Sequence, residues 1–254
     1  MTPSAAPVCK VRLRFAKRGK LRFTSHRDVA RSFERALRRA DLPMAYSQGY
    51  NPHPKVSWVG AAPTGAASEA EYVEIQLVEH LDPEVVRAKL DAALPEGLAV
   101  LEGVRAGPGG LAERIEASAW RIELRGLSGE QLRQAVQALL VAPTVLVERL
   151  TKDGRRSIDA RAAIISLDVE DCPTVPPVLD QPGRCGILIA VVRQVSPAVR
   201  PDDVLNALGA VAGVRSCVLV KAIRTAQGRI DDDGGLVDPL TADRAIAWAA
   251  VHEG

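Results

Sequence analysis

The stretch KRGKLRFTSHRDVARSFERALRRADLPMAYSQGYNPHP, residues 17–54, determines how we interpret the rest of the chain. It begins with a basic turn, continues into a helix with many arginines, and ends in a loop that carries two tyrosines and a histidine. The segments on either side of it alternate in a way that is typical of strands. We therefore predict that the flanking chain is a scaffold for this stretch.

The helix within this stretch has clear limits. Ser25 is a suitable N-cap, and Asp28 three residues later completes a capping-box pattern. The residue before Pro43 avoids the α region, so the helix is expected to end there. Apolar residues recur at helical spacing and predict one buried face, formed by Val29, Phe33, Ala36, Leu37 and Ala40.

The opposite face of the helix is strongly basic. Its arginines recur at helical spacing, at Arg27, Arg31, Arg35 and Arg38. Like charges four residues apart destabilise an isolated helix by a few tenths of a kcal/mol, roughly. Helix stability alone therefore does not explain them, and we predict a face that binds anions, most plausibly phosphates. The alternative is an ordinary solvated face.

The loop at residues 46–55 combines side chains that can recognise an unpaired base. Two prolines and a glycine restrict its backbone. Rings, an amide and cations that can stack or hydrogen-bond lie close together in it, at Tyr46, Tyr50, Asn51, His53 and Lys55. We predict that the loop lines a concave site next to the helix. The alternative is a tight turn whose tyrosines pack on the core.

Charge is distributed unevenly along the chain. The net charge of the 254 residues is only +2, but residues 10–60 contain 13 basic and 3 acidic residues. The remainder has 20 basic and 28 acidic residues. Such an asymmetry indicates a surface for a polyanion.

The cysteine pattern predicts a protein without a metal site. Cys9, Cys172, Cys185 and Cys217 form no C-x-x-C pair and no zinc-like spacing with histidine. We expect four free thiols and a cytoplasmic location. The first eight residues do not resemble a signal peptide, and no apolar run reaches the ~18 residues of a membrane span.

The order of predicted elements favours an α+β fold of two tandem ferredoxin-like (βαββαβ) domains with a C-terminal tail helix. The glycine-rich segment that starts near residue 107 is the expected boundary between them. The predicted divisions are a tail at 1–8, a domain at 9–106, a linker at 107–116, a second domain with an extra hairpin at 117–224, and a linker with a C-terminal helix at 225–254.

A second basic cluster surrounds the predicted Asp153-Gly154 hairpin turn. It comprises Arg149, Lys152, Arg155 and Arg156. A solvated hairpin tip explains it, and a second phosphate contact is the alternative.

The sequence has no signature of a nucleotide-binding or serine-nucleophile enzyme. It lacks the phosphate-binding glycine loops and G-x-S-x-G. His26 and His53 bracket the basic helix and are the candidates for an acid–base pair in metal-independent phosphodiester cleavage. We favour a stacking or hydrogen-bonding role for His53 and a capping role for His26.

Several of these segments resemble one bacterial family. The runs at 17–28, 34–40, 46–54 and 68–72 are similar to the radical-SAM-linked protein family, a domain of unknown function. Arg27 and Tyr50 depart from its usual pattern, which more often has an apolar residue and Phe. The resemblance implies an accessory partner of a B12-binding-type radical SAM protein. This chain has no C-x-x-x-C-x-x-C to hold that enzyme's cluster.

We therefore predict a cytoplasmic accessory protein that binds RNA (a tRNA or rRNA) and presents it to a separately encoded radical SAM enzyme, with no cofactor of its own and no membrane contact. The alternatives are a metal-independent ribonuclease or RNA-modifying enzyme that uses His26 and His53, and a protein-interaction adaptor with a basic docking face. Arg12 or Arg14 is expected to share the exposed surface of the helix arginines. The full predicted RNA-binding set is Arg12, Arg14, Lys17, Lys20, Arg22, Arg27, Arg31, Arg35, Arg38, Tyr46, Tyr50, Asn51, His53 and Lys55.

Overall fold

The protein has an α+β fold that divides into two compact units. The computed structural model describes residues 6–151, 154–171, 185–213 and 218–252. The first unit comprises Met1–Ile115 together with Val237–Gly254, and the second comprises Glu116–Leu236. The first unit is therefore built from two separate parts of the chain.

The strands and helices are numbered in chain order. The strands are β1 (Cys9–Lys17), β2 (Val56–Val59), β3 (Ala67–Leu77), β4 (Leu98–Arg105), β5 (Ala117–Arg125), β6 (Leu146–Thr151), β7 (Gly154–Asp159), β8 (Ile164–Asp171), β9 (Cys185–Arg193), β10 (Val218–Ile230) and β11 (Leu236–Val237). The α-helices are α1 (His26–Arg39), α2 (Pro83–Ala93), α3 (Gly129–Val141), α4 (Ala160–Ala163), α5 (Pro201–Ala212) and α6 (Thr241–His252). Short 3-10 turns cover Gly19–Phe23 and Ala112–Arg114.

The sheet of the first unit has the strand order β4-β1-β3-β2, and each neighbouring pair is antiparallel. In the central pair, Cys9 lies opposite Leu77 and Lys17 lies opposite Ser68. The first six elements follow the predicted order of strand, helix, two strands, helix and strand.

One face of this sheet packs on α1 and α2. The rings of Phe15 and Phe33 lie 4.6 Å apart, and Trp58 of β2 packs edge-on against Phe33 at 5.1 Å. The rest of the core is aliphatic, and its buried members include Val11, Leu13, Val29, Leu37, Val73, Ile75, Leu77, Val86 and Leu90. This burial fixes α1 on the sheet with its arginines turned away.

The other face of the sheet carries buried charge. Arg12 is 1% exposed, and its guanidinium donates to Glu74 at 2.9 Å and to both carboxylate oxygens of Asp243 at 2.9 Å. Asp243, itself fully buried, also accepts from Arg114 at 2.8 Å and from the Gly107 amide at 2.9 Å. The start of α6 is therefore held against β1 by ion pairs and hydrogen bonds.

These contacts change the predicted domain limits. Residues 107–116 were expected to be a linker, but Leu111 and Ile115 are buried in a small cluster with Leu240. The expected linker over 225–254 also differs from the structure. β10 continues to Ile230, and Val237–Gly254 belongs to the first unit. The C-terminal segment belongs to the first unit because the carboxylate of Asp243 in α6 balances the buried positive charge of Arg12 in β1.

The second unit has an antiparallel sheet in the order β10-β5-β9-β8. The predicted extra hairpin is formed by β6 and β7, which pair with each other. The proline-rich segment at 171–183 lies almost wholly outside the described residues. Cys185 is disulfide-bonded, so the prediction that all four thiols are free is wrong.

In the part of the chain that the structure describes, no helix has both the length and the apolar character needed to cross a membrane.

Replacing Asp243 with asparagine is expected to destabilise the protein strongly. The variant keeps the shape of the side chain but leaves two arginines, of which Arg12 is fully buried, without their shared negative charge. Breaking a buried pair in this way costs about 3–5 kcal/mol. The free energy of unfolding, measured by urea titration, checks this. The matched control is Glu69→Gln, which breaks the exposed Arg18–Glu69 pair and should cost less than ~1 kcal/mol. Equal losses in the two variants would contradict the buried pair's role.

The same carboxylate predicts a loss of stability in acid. Burial alone would raise the pKa of Asp243, but hydrogen bonds from Arg114, Arg12 and the Gly107 amide outweigh it and hold the pKa below its usual value. A depressed folded-state pKa stabilises the protein above the unfolded-state pKa, and this contribution is lost as the pH falls through the folded value. In urea titrations from pH 7 downwards, the stability difference between wild type and Asp243→Asn should therefore shrink in acid. A constant difference would contradict this account.

Candidate nucleic-acid interface

Helix α1 presents four exposed arginines on one side. The Ser25 hydroxyl caps the helix by accepting from the Asp28 amide at 3.3 Å. The buried apolar residues lie on the sheet side of the helix. At 3.6 residues per turn, the arginines fall within an arc of about 80°. We call this set the arginine face: Arg27, Arg31, Arg35 and Arg38, all exposed.

The described contacts of the arginine face are weak ones. Arg31 lies 3.9 Å from Asp28, and both side chains are more than half exposed. Arg35 donates to the Ser32 hydroxyl at 3.1 Å. The hydrogen bond from the Ser25 hydroxyl, with a smaller contribution from Arg31, lowers the pKa of Asp28, so this carboxylate is charged at neutral pH. Exposed pairs of this kind contribute little to stability, and an anionic ligand can replace them at little cost.

Arg12 and Arg14 do not belong to this surface. Arg12 is buried between Glu74 and Asp243. Arg14 is partly exposed, but its guanidinium lies 3.5 Å from Asp238. Both lie on the face of the sheet opposite α1, so the predicted common surface with the arginine face is wrong.

The remaining predicted cations have different environments. Lys17 is buried, and its ammonium donates to the carbonyls of Ala62 and Pro63 at 3.4 Å. Lys20 is exposed, and Arg22 and Lys55 are half-buried. Lys17 therefore serves the packing of the first unit, whereas Lys20 and the accessible parts of Arg22 and Lys55 add to the positive charge near α1.

The loop at residues 46–55 is a closed hairpin with an outward tip. The Lys55 amide donates to the Ala45 carbonyl at 2.8 Å, and the Ser47 amide donates to the His53 carbonyl at 2.8 Å. Gly49 has a φ of +130°, which a residue with a side chain adopts only at a cost. Tyr50, the next residue, is 94% exposed.

Only part of the loop faces solvent. Asn51 and His53 are exposed, but Tyr46 is half-buried and packs against the core of the first unit. The tip thus projects outward instead of lining the predicted concave site. Tyr50, Asn51 and His53 remain accessible to a ligand, and Tyr46 anchors the base of the loop.

Two further aromatic residues contribute to this region, and the sequence interpretation did not include them. Phe23 is 60% exposed, and the guanidinium carbon of Arg22 lies 4.6 Å from the centre of its ring. Trp58 contacts the ring of His26 edge-on at 5.3 Å. One feature of the sequence indicated that Phe23 is exposed: it lies between two polar residues in a basic turn. No comparable pattern pointed to Trp58.

The two candidate catalytic histidines are held in different places. His26 rests on Trp58 in β2, whereas His53 lies in the loop before β2. Trp58 follows His53 by five residues, about 16 Å of extended chain. An acid–base pair needs both groups within hydrogen-bond reach of one substrate, and phosphodiester cleavage by these two histidines stays a prediction. Among the described residues, no cluster of His, Cys, Asp or Glu is arranged to hold a metal ion.

The basic hairpin of the second unit is only partly available. Arg149 is hydrogen-bonded to the buried carboxylate of Asp203 and to the Ala198 carbonyl. It is therefore a structural residue, and neither the predicted solvated tip nor the alternative phosphate contact describes it. Arg155 is exposed and lies 3.1 Å from Glu148. Arg156 is exposed, and Lys152 lies outside the described residues.

Neutralising the arginine face is expected to leave the fold intact. In the triple variant Arg31→Gln, Arg35→Gln and Arg38→Gln, no buried contact is lost and like-charge repulsion along α1 is relieved. The free energy of unfolding should change by less than about 0.5 kcal/mol per substitution, or rise slightly. Urea titration of the variant beside wild type measures this. A loss of several kcal/mol would show that the arginines are structural.

Comparison with known proteins identifies the family but assigns no activity. No curated protein matches the chain. Residues 10–201 match the model of a family described as an uncharacterized protein conserved in bacteria (DUF2344). This match includes the arginine face, the 46–55 loop and most of the second unit, so the chain belongs to that bacterial family.

Proposed function

We propose that this protein binds RNA through the arginine face and the tip of the 46–55 loop, and presents the RNA to a separate radical SAM enzyme. The observation that carries the proposal is the exposure of all four arginines on one side of α1. Arg12 and Arg149 have a structural role, because each contacts a buried carboxylate. The four exposed arginines of α1 are not explained in this way. Phosphates along an RNA strand are the ligand that uses a row of such charges.

The loop favours RNA over an acidic protein as the ligand. An acidic protein surface would satisfy the arginines alone. The loop adds the exposed ring of Tyr50, with Asn51 and His53 beside it. These groups can stack on a base and hydrogen-bond its edge, which is how unpaired RNA bases are recognised. The RNA class we favour is a tRNA or rRNA.

The accessory role rests on the resemblance to the radical-SAM-linked family. The segments that carry the resemblance, at 17–28, 34–40 and 46–54, also build the proposed surface. The chain lacks the C-x-x-x-C-x-x-C motif of a radical SAM enzyme, so the chemistry would belong to a partner. The proposed place of action is the cytoplasm, and the protein would need no cofactor of its own.

The proposed scaffold is a pair of ferredoxin-like domains. In the first unit, the order of elements and the strand order β4-β1-β3-β2 support this. In the second unit, the strand order β10-β5-β9-β8 with α3 and α5 supports it, once the β6–β7 hairpin and α4 are treated as an insertion. Both patterns support the proposed split βαβ arrangement.

RNA affinity is expected to fall steeply with salt and to depend on the arginine face. Each phosphate contact contributes about −0.7 to the slope of log K against log salt on single strands. The triple variant Arg31→Gln, Arg35→Gln and Arg38→Gln should therefore bind more weakly and reduce the magnitude of the slope by about 2. Fluorescence anisotropy with labelled RNA between 50 and 300 mM salt, roughly the range where such slopes are resolved, measures both.

A matched control removes the same charge elsewhere. Arg125, Arg193 and Arg229 are exposed arginines of the second unit, and changing all three to glutamine should leave the slope nearly unchanged. Equal effects of the two triple variants would show that RNA binding depends on the net charge of the protein and not on the arginine face. A flat salt response of wild type would favour the adaptor alternative. Cleavage of RNA by the purified protein that disappears in His53→Ala would favour the ribonuclease.

If this protein presents RNA to a radical SAM enzyme, the rate of that enzyme should depend on the presence of this protein. A B12-binding-type radical SAM protein of the same bacterium should modify bound RNA faster when wild-type protein is present. The arginine-face triple variant should not give this stimulation, because it would not hold the RNA. Single-turnover assays at a fixed enzyme concentration measure the rate. An equal rate with and without the chain would remove the accessory role but leave RNA binding intact.

A further inference from the structure

A second aromatic group lies at the opposite end of α1 from the 46–55 loop. Phe23 is 60% exposed, although burying such a ring would be favourable. Its position is fixed by the turn that carries it: the Thr24 amide and hydroxyl both donate to the Leu21 carbonyl, at 3.0 and 2.6 Å. The guanidinium of Arg22 lies over the ring. The structure therefore holds this aromatic ring in solvent at the beginning of the helix.

His26 extends this group into the first turn of α1. Its ring stands edge-on to Trp58 at 5.3 Å. Trp58 is in turn packed against Phe15 at 5.9 Å and Phe33 at 5.1 Å. The exposed imidazole is therefore supported from behind by the aromatic core. Phe23 and His26 together form what we call the entry group.

In the chain, the entry group lies at the start of α1 and the 46–55 loop follows the helix. His26 contacts Trp58 of β2, which lies opposite Val73 of β3. The chain enters the loop at Ala45, whose amide donates at 2.8 Å to the carbonyl of Gln76, three residues further along β3. The 14 residues of α1 span about 21 Å. Bases stacked 3.4 Å apart would place about six nucleotides along a helix of this length. Along the chain, the arginine face lies between the entry group and the loop.

We propose that α1 is a track for a short single strand of RNA, with one base held at Phe23 and His26 and another held at Tyr50. This inference rests on the proposed RNA-binding function and narrows its ligand. A ring can stack only on a base whose face is free, and the bases of a duplex are already stacked on their neighbours. The deep, narrow major groove of an RNA duplex is also closed to side chains. The strand would run along the arginine face and cover about six nucleotides.

Oligonucleotides of increasing length test the track. Unstructured RNAs of three to twelve nucleotides, and a duplex of the same composition, are titrated against the full chain at one salt concentration. Affinity should rise with length up to about six nucleotides and then level off, and the duplex should bind at least tenfold more weakly than the equally long single strand. A duplex that binds as well as the strand, or affinity that does not increase beyond three nucleotides, would overturn the track.

Substitutions at the two ends provide the second test. Phe23→Ala and Tyr50→Ala should each weaken binding of a hexamer about tenfold, and the two losses should multiply in the double variant. Both side chains are exposed, so circular dichroism should show an unchanged fold. Val141→Ala, at a 79% exposed site on α3, is the control and should bind as wild type does. Loss with Tyr50→Ala but none with Phe23→Ala would overturn the track and leave RNA binding in place. No binding of any RNA by wild type would overturn the proposed function and the track together.

Discussion

The ion pair between Arg12 and Asp243 is the interaction on which the first unit depends. An arginine in the middle strand of a sheet cannot be buried without a compensating charge, because desolvating an isolated ion costs many kcal/mol. The carboxylate comes from α6, and Glu74 on the neighbouring strand completes the arrangement. The other groups around Asp243, Arg114 and the Gly107 amide, bring the segment after β4 into the same cluster. One buried guanidinium thus organises three separate parts of the chain.

This interaction also separates the arginines of the protein into two kinds. Arg12 and Arg149 each meet a buried carboxylate, so their charge is used within the fold. The arginines on α1 are exposed and have only weak contacts with exposed groups. A count of positive charge in residues 10–60 treats both kinds alike and therefore overestimates the charge available to a ligand. Burial thus distinguishes the arginines that stabilise the fold from those of the arginine face, which a ligand can reach.

Much of the first unit could be predicted from local patterns. The cap at Ser25, the apolar positions such as Phe33, and the alternation of β1 and β3 all describe neighbours within one element, and each of these elements forms. The two-faced alternation of β1 did not reveal whether its basic face meets water or protein. That depends on Asp243, which is 231 residues away from Arg12 and lies in a short helix with no distinguishing pattern.

The candidate site was predicted to a similar extent. The spacing of the arginines placed them correctly on one side of α1, because helical periodicity is a local property. The direction of the loop was not foreseen, since the pairing of Ser47 with His53 and the conformation of Gly49 decide it. Phe23 was overlooked because exposure of an aromatic ring is a property of the folded surface, and composition does not show it.

The division of the first unit between two parts of the chain has a consequence for its synthesis. Arg12 and Arg114 are translated early, but their shared partner Asp243 follows Arg114 only after the whole second unit has been made. At 5–20 residues per second, this interval of 129 residues lasts about 6–26 s. During that time β1 carries a guanidinium that has no native carboxylate from α6 to pair with. The first unit therefore cannot acquire its full set of contacts until α6 has been synthesised, after every residue of the second unit.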